Sequence, residues 1–406
     1  MSTVVGIVSK NLFARIDTPE DFSLVLGGPL YQFFRRWHLS DDVLDHVRRR
    51  LGVITLLAWL PLIILSALAG TAVRGSVAVP FLYDIEAQVR FLVVLPILIA
   101  AELVVHQRMR FVVRQFLERH LIPENALPRF HAVIESAFRL RNSVIAEVLL
   151  IAFVYIVGVL LFWRHYVALS AATWYGTPGA DGLQFSSTGF WFAYVSLPIY
   201  QFLLVRWYFR IFIWIRFLWQ VSRIELSLIP THPDRVGGLG FLGNTVYAFV
   251  PLLIAHGAIL AGLIANRIFY LGASLPQFLI EIAVIVGFLL CIVLGPLLVF
   301  APQLAQLKRT ADREYGALAE RYVREFDAKW VRSGAPVDEP LIGSADIQSL
   351  ADLANSFEVV RSIRLAPISK EAVLQLLVVT LLPVAPLVLT MMSVEDVLKK
   401  LLGILF

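Results

Sequence analysis

Leu279-Ile-Glu-Ile-Ala-Val-Ile-Val-Gly-Phe-Leu-Leu-Cys-Ile-Val-Leu-Gly-Pro-Leu-Leu-Val-Phe300 is an apolar run whose one charge, Glu281, stands near its start. About 20 such residues in a helix cross ~30 Å of hydrocarbon. The run does not end in a loop. Leu304, Leu307, Ala311, Tyr315, Leu318, Tyr322, Phe326 and Trp330 follow at intervals of three and four, which makes one helical face. Glu320/Arg324 and Glu325/Lys329 supply i,i+4 pairs on the other side. The stretch reads as a membrane span whose helix continues into water.

The rest of the chain agrees. Of its 406 residues 58% are hydrophobic and 16% charged, against about 25% charged in a soluble domain. Mean hydropathy is +0.76. The expected fold class is all-α, a polytopic integral membrane protein of seven transmembrane helices. The six other spans are read at Leu51–Val73, Phe91–Val105, Val144–Trp163, from Phe190 onward, Val246–Ala265 and Ala372–Met392. Segment 1–50 is polar and basic, with an aromatic patch from Leu30 to Trp37 suited to the headgroup layer and a helix start at Ser40. Residues 51–300 hold six spans and two polar stretches, 106–143 and 206–243. In the first of these, Val133, Ile134, Ala137 and Phe138 share a helical face. A helical segment at 301–371 contains a linker at 333–343 and a helix capped by Ser344. The last span and a short amphipathic tail make up 372–406.

Segments 1–50, 106–143, 206–243 and 301–371 carry 29 of the 35 Lys and Arg. That bias puts the amino terminus inside and, after seven crossings, the carboxyl terminus outside. It also accounts for the net charge of +5 with no nucleic-acid partner. The fourth apolar run passes through Arg206, Arg210, Arg216, Gln220 and Arg223 to about Leu228. At 100° per residue those five side chains share an arc of roughly 140°, and the run is read as an amphipathic helix of nearly forty residues, on the order of 60 Å, that enters the cytosol with this polar arc toward water. With the extended sixth helix and Ser344–Arg364 it would form a cytosolic helical layer. The expected location is a bacterial inner (plasma) membrane, multi-pass.

Candidate chemistry concentrates in Thr231-His-Pro-Asp-Arg-Val-Gly-Gly-Leu-Gly-Phe-Leu-Gly-Asn244, a polar then glycine-rich loop between two apolar runs. Gly238-x-Gly240-x-x-Gly243 spells a dinucleotide fingerprint, but a helix precedes it where that fingerprint needs a strand. Two readings stay open. Backbone N–H groups at Gly237, Gly238, Gly240 and Gly243, with Arg235, would hold an anion such as a phosphate or the headgroup of an anionic lipid. Alternatively, the glycines permit a sharp reversal that His232 and Asp234 cap. Two ligands, His232 and Asp234, do not make a metal site, and no cofactor is expected. Glu102, Glu147 and His256 are ionisable groups at or within spans, pathway candidates by default. Against that, Glu102 and Glu147 would simply pair with Arg108, Arg110 or Arg141, and His256 would bond a helix carbonyl. Pro383 and Pro386 interrupt the last span near Thr380 and Thr390, as in a helix lining a pathway or in a plain kink. No metalloprotease, nucleophile-elbow or P-loop motif is present, so no enzyme is expected.

The loop Thr231–Leu242 resembles one found in bacterial membrane proteins of uncharacterised function, which implies an inner-membrane address. Separately, the layout is similar to the insect odorant and gustatory receptor class of tetrameric ligand-gated cation channels. The shared features are seven spans, an inside amino terminus, extended fourth and sixth helices, and a cytosolic helix leading into the last span. That likeness implies a last span lining a pore and cytosolic extensions joining subunits; with no counterpart of the class's terminal aromatic signature, no pore residue carries over. The expectation is a homo-oligomeric ion channel or ion-conducting receptor. The alternatives are a secondary transporter of a small anionic or protonated solute, using His256 and the loop, and a non-catalytic scaffold or lipid-binding sensor.

Overall fold

The computed structural model describes residues 22–25, 27–29, 47–73, 75, 77–158, 172–179, 182–332, 339–340 and 344–391. The aromatic patch at 30–37, the helix start at Ser40, the end of the third span, most of the 333–343 linker and the tail after 391 lie outside the described residues. What is described is mostly helical. Five helices are long and apolar enough to cross a membrane: α1 (Val47–Leu68), α2 (Ile85–Glu118), α5 (Ser187–Val221), α6 (Gly240–Leu271) and α7 (Leu275–Arg332). Two bent pairs raise the number to as many as seven. In the first, α3 (Leu127–Arg141) meets α4 (Val144–Phe153) at 47°. In the second, α9 (Lys370–Leu381) meets the turn Ala385–Met391 at 56°. Between them in sequence lies α8 (Ala345–Arg361).

The bundle is built around α5. Trp207, Trp214, Phe217 and Leu218 are buried along it. Trp207 donates its indole N–H to the Leu98 carbonyl of α2 at 2.9 Å, and Ser196 donates to the Ala58 carbonyl of α1 at 2.6 Å. In a dry interior such bonds satisfy polar side chains that would otherwise cost the bundle stability. Val133 and Ala137 bury the expected face of α3, with Ile134 and Phe138 packed beside them. Small residues let α6 approach its neighbours closely. A Cβ on Gly262 would stand 3.2 Å from the Glu86 backbone, and one on Gly257 would run into the Thr380 carbonyl and lie 3.2 Å from Pro383.

At one end of the bundle a two-stranded antiparallel hairpin, β1 (Gly176–Gly179) and β2 (Gly182–Phe185), seats the buried Trp174. The Trp174 indole N–H donates to Asp84 at 2.8 Å. The other Asp84 oxygen accepts from Asn266 at 2.7 Å and from the Ala87 backbone at 3.0 Å. One carboxylate thus joins the hairpin, α2 and α6.

Three expectations change. The fourth helix ends at Val221, not near Leu228, and the chain continues extended. Arg206 and Arg210 do not lie on a water-facing arc: they are 6% and 4% exposed inside the bundle. They can be there because carboxylates from other helices meet them. Finally, Phe22–Val25 is not a surface segment but is buried among α3 and α5. Phe22 lies 4.7 Å from the Phe217 ring and 5.9 Å from that of Phe138.

Candidate functional site

The 231–243 loop closes on itself. Arg235 (φ 58°), Gly237 (66°) and Gly238 (99°) take left-handed conformations, which glycine adopts without steric cost. The reversal points three backbone N–H groups, at the alternate positions Val236, Gly238 and Gly240, at one anion. The anion there is the chain's own: Asp234 Oδ1 accepts from Val236 (2.9 Å) and Gly238 (3.2 Å), and Oδ2 accepts from Gly240 (2.8 Å). His232 Nδ1 is 2.9 Å from Oδ1. Burial alone would raise the Asp234 pKa; the three backbone donors and the His232 ring overcome it and hold the carboxyl below its ordinary value. A Cβ on Gly240 would stand 2.9 Å from Asp234 Cβ, so that glycine is the condition for the Asp234 contact.

The loop also grips the turn ahead of α9. Arg364 donates its backbone N–H to the Arg235 carbonyl (2.8 Å) and a guanidinium N–H to the Asp234 carbonyl (3.1 Å). A Cβ on Gly243 would lie 2.7 Å from the Pro367 carbonyl. From the other side Arg119 donates to the Gly238 carbonyl at 3.2 Å and lies over the Phe241 ring. Val236, Leu239 and Leu242 are fully buried beneath. The Arg235 side chain is exposed. The loop is therefore a clamp between the end of α2 and the 363–368 turn that leads into α9.

Glu102 and Glu147 come together through Arg206, which lies 3.9 Å from the first and 3.4 Å from the second. Glu102 also bonds Arg210 at 2.7 Å and Arg50. Among the described residues their ion-pair partners are on α1 and α5, where Arg108, Arg110 or Arg141 was expected; Arg141 donates to the Ser23 carbonyl at 2.6 Å. Gly28 sits against the same cluster, where an added Cβ would be 3.2 Å from Glu147 Oε1. The cavity beside Arg206 and Glu147 measures about 10 Å³. A single water needs roughly 10–15 Å³, so the cluster is a packed junction with no room for a solute. Sequence reasoning missed Arg206 and Arg210 as partners. Their i,i+4 spacing inside an aromatic-rich apolar helix was the available signal.

His256 bonds as the bland alternative expects. Its Nδ1 is 2.7 Å from the Leu252 carbonyl, one turn back. Its Nε2 is 2.5 Å from the Tyr208 hydroxyl. With Nδ1–H donating to the carbonyl, Nε2 is left to accept from Tyr208. Thr380 and Thr390 bond carbonyls of their own helices, Leu376 at 2.7 Å and Leu387 at 2.6 Å. Pro383 packs at Gly257, next to His256, and Pro386 lies in the turn beyond the bend.

No family model, curated protein or solved structure matches the chain.

Proposed function

We propose that the chain is a seven-span protein of a bacterial inner membrane, amino terminus inside and carboxyl terminus outside, that assembles as a homo-oligomeric ion channel. The last span lines the pathway, and the cytosolic helices within 301–371 govern it through the 231–243 clamp. The observation that carries this reading is the last span itself. It is interrupted at Leu382-Pro383-Val384, bends by 56°, and packs on α6 and the first part of α7 along one side. Leu374, Val378, Leu382, Leu389 and Met391 are more than half exposed. A broken, peripheral span is where copies of a chain can meet around an axis, and backbone freed by prolines is tolerated where protein or water satisfies it. The turn before it is held by the clamp, which gives the cytosolic helices a mechanical connection to it. The test is purified full-length protein in planar bilayers, with imaging of the particle. Expected are discrete currents, altered by thiol reagents in Leu382→Cys, and a particle with a rotational axis. A monomer without conductance ends the proposal.

The part-buried Tyr208–His256 pair favours a second reading, proton-linked transport of a small solute. Saturable uptake without channel currents, lost in His256→Ala, would support it over the channel.

A further inference from the structure

Where the apolar runs of α5 and α7 both give way to polar sequence, a cleft of about 460 Å³ opens, lined in part by Arg223, Glu225, Leu228, Gln303, Gln306 and Thr310. That volume is in the range of small-ligand clefts, roughly 300–1,000 Å³. Gln303 shapes its floor by donating to the carbonyls of Ser222 and Ile224, each at 2.7 Å, which fixes the stretch carrying Arg223 and Glu225. The Arg223 guanidinium stacks over the Trp219 ring at 5.1 Å. Arg223 and Glu225 are both exposed, and among the described residues neither enters an ion pair. A cation and an anion two residues apart thus border one cleft without neutralising each other. Gln306 and Thr310, one turn apart, make no side-chain hydrogen bond among the described residues. Below the cleft, Phe212 and Trp219 are seven residues apart on one face of α5 and are 51% and 48% exposed. An aromatic stripe that ends in arginine is the pattern of a membrane–water boundary.

We propose that this cleft binds the phosphoethanolamine headgroup of a phospholipid. The phosphodiester meets Arg223, with Gln306 and Thr310 donating, the primary ammonium meets Glu225, and the acyl chains lie along Trp219 and Phe212. This rests on the reading that α5 and α7 lie in a bilayer. The chemistry is selective. A guanidinium suits phosphate geometry. A primary ammonium offers Glu225 three N–H donors, whereas choline's quaternary nitrogen offers none. A phosphatidylglycerol headgroup brings no cation for Glu225, which then stands unpaired beside added negative charge.

The test uses the full chain in detergent micelles, titrated with phosphatidylethanolamine, phosphatidylcholine or phosphatidylglycerol and read by native mass spectrometry. Losing a hydrogen bond to a charged group changes affinity roughly tenfold or more. Phosphatidylethanolamine should therefore bind roughly tenfold more tightly than phosphatidylcholine. Glu225→Gln should erase that preference, and Arg223→Ala should weaken binding of both lipids. Soluble phosphoethanolamine should fail to displace the lipid; displacement at equal concentration would make the ligand a free solute and overturn the lipid assignment. Because both residues are exposed, the variants should elute and melt like the parent. Quenching of tryptophan fluorescence by brominated phosphatidylethanolamine, weakened in Trp219→Phe, gives a second reading that leaves Arg223 and Glu225 in place. Equal affinities for the three lipids, tighter phosphatidylglycerol, or indifference to Arg223→Ala overturns the proposal. A chain released from membranes by carbonate washing would sink the bilayer reading and this one together; a retained chain without the preference sinks only the cleft.

Discussion

Replacing Glu102 by Gln removes one negative charge from the middle of three guanidiniums. Arg210 is 2.7 Å away and Arg206 is 3.9 Å away, with Arg50 also bonded. At an effective dielectric of about 20, those two separations correspond to roughly 6 and 4 kcal/mol of gross attraction. Most of that is offset by the cost of bringing the charges out of water. What the substitution exposes is the uncompensated remainder, about 3–5 kcal/mol for breaking a buried pair by removing one partner. Arg210→Met is a different experiment, because it leaves Glu102 with Arg50 and Arg206 and relieves repulsion among the cations. Its expected cost is about 1.5–3 kcal/mol, the worth of one hydrogen bond to a charged group. The double variant should cost less than the two single costs added together, since it strands one guanidinium fewer. The assay is equilibrium denaturation in mixed micelles, followed by tryptophan fluorescence. A cost for Glu102→Gln below about 1 kcal/mol, or one smaller than that of Arg210→Met, refutes the view of Glu102 as the hub.

Gly243→Ala should push the Pro367 carbonyl away, since the new Cβ would stand 2.7 Å from it. We expect a loss of about 1–3 kcal/mol and faster tryptic cleavage after Arg361 and Arg364. In Asp234 the folded pKa lies below the ordinary 3.8. Its contribution is therefore complete above that value and is lost as pH falls through the folded one. Unfolding curves of the parent and Asp234→Asn should differ at neutral pH and converge only well into acid; a difference that fades nearer pH 6 contradicts the clamp. Tyr208→Phe leaves His256 Nε2 without its donor in a buried position and should cost about 1–3 kcal/mol, read by the same denaturation assay.

The apolar runs were legible because their length matches a hydrocarbon crossing, and the cap at Ser344 because a hydroxyl ahead of a helical run can accept one of its free backbone N–H groups. It accepts from Asp346. The glycines of the loop announced a reversal, though not that Asp234 would fill it. Which arginines answer Glu102 was hidden, since Arg50 and Arg206 are far from it in sequence and only packing brings α1, α2 and α5 together. Arg206 and Arg210 looked like a polar stripe because periodicity gives the face a residue occupies but not what covers that face. The burial of Phe22–Val25 left no local signal, as four residues are too few to show a period.

That short stretch has a consequence for the order in which the protein is made. Phe22 rests on Trp214 and Phe217, which leave the ribosome about 190 residues later. At a synthesis rate of roughly 5–20 residues per second, Phe22 waits on the order of 10–40 s before its pocket exists. Through that interval an apolar segment already made is open to chaperones or to the membrane surface. The segment is thus made well before the surface on which it settles.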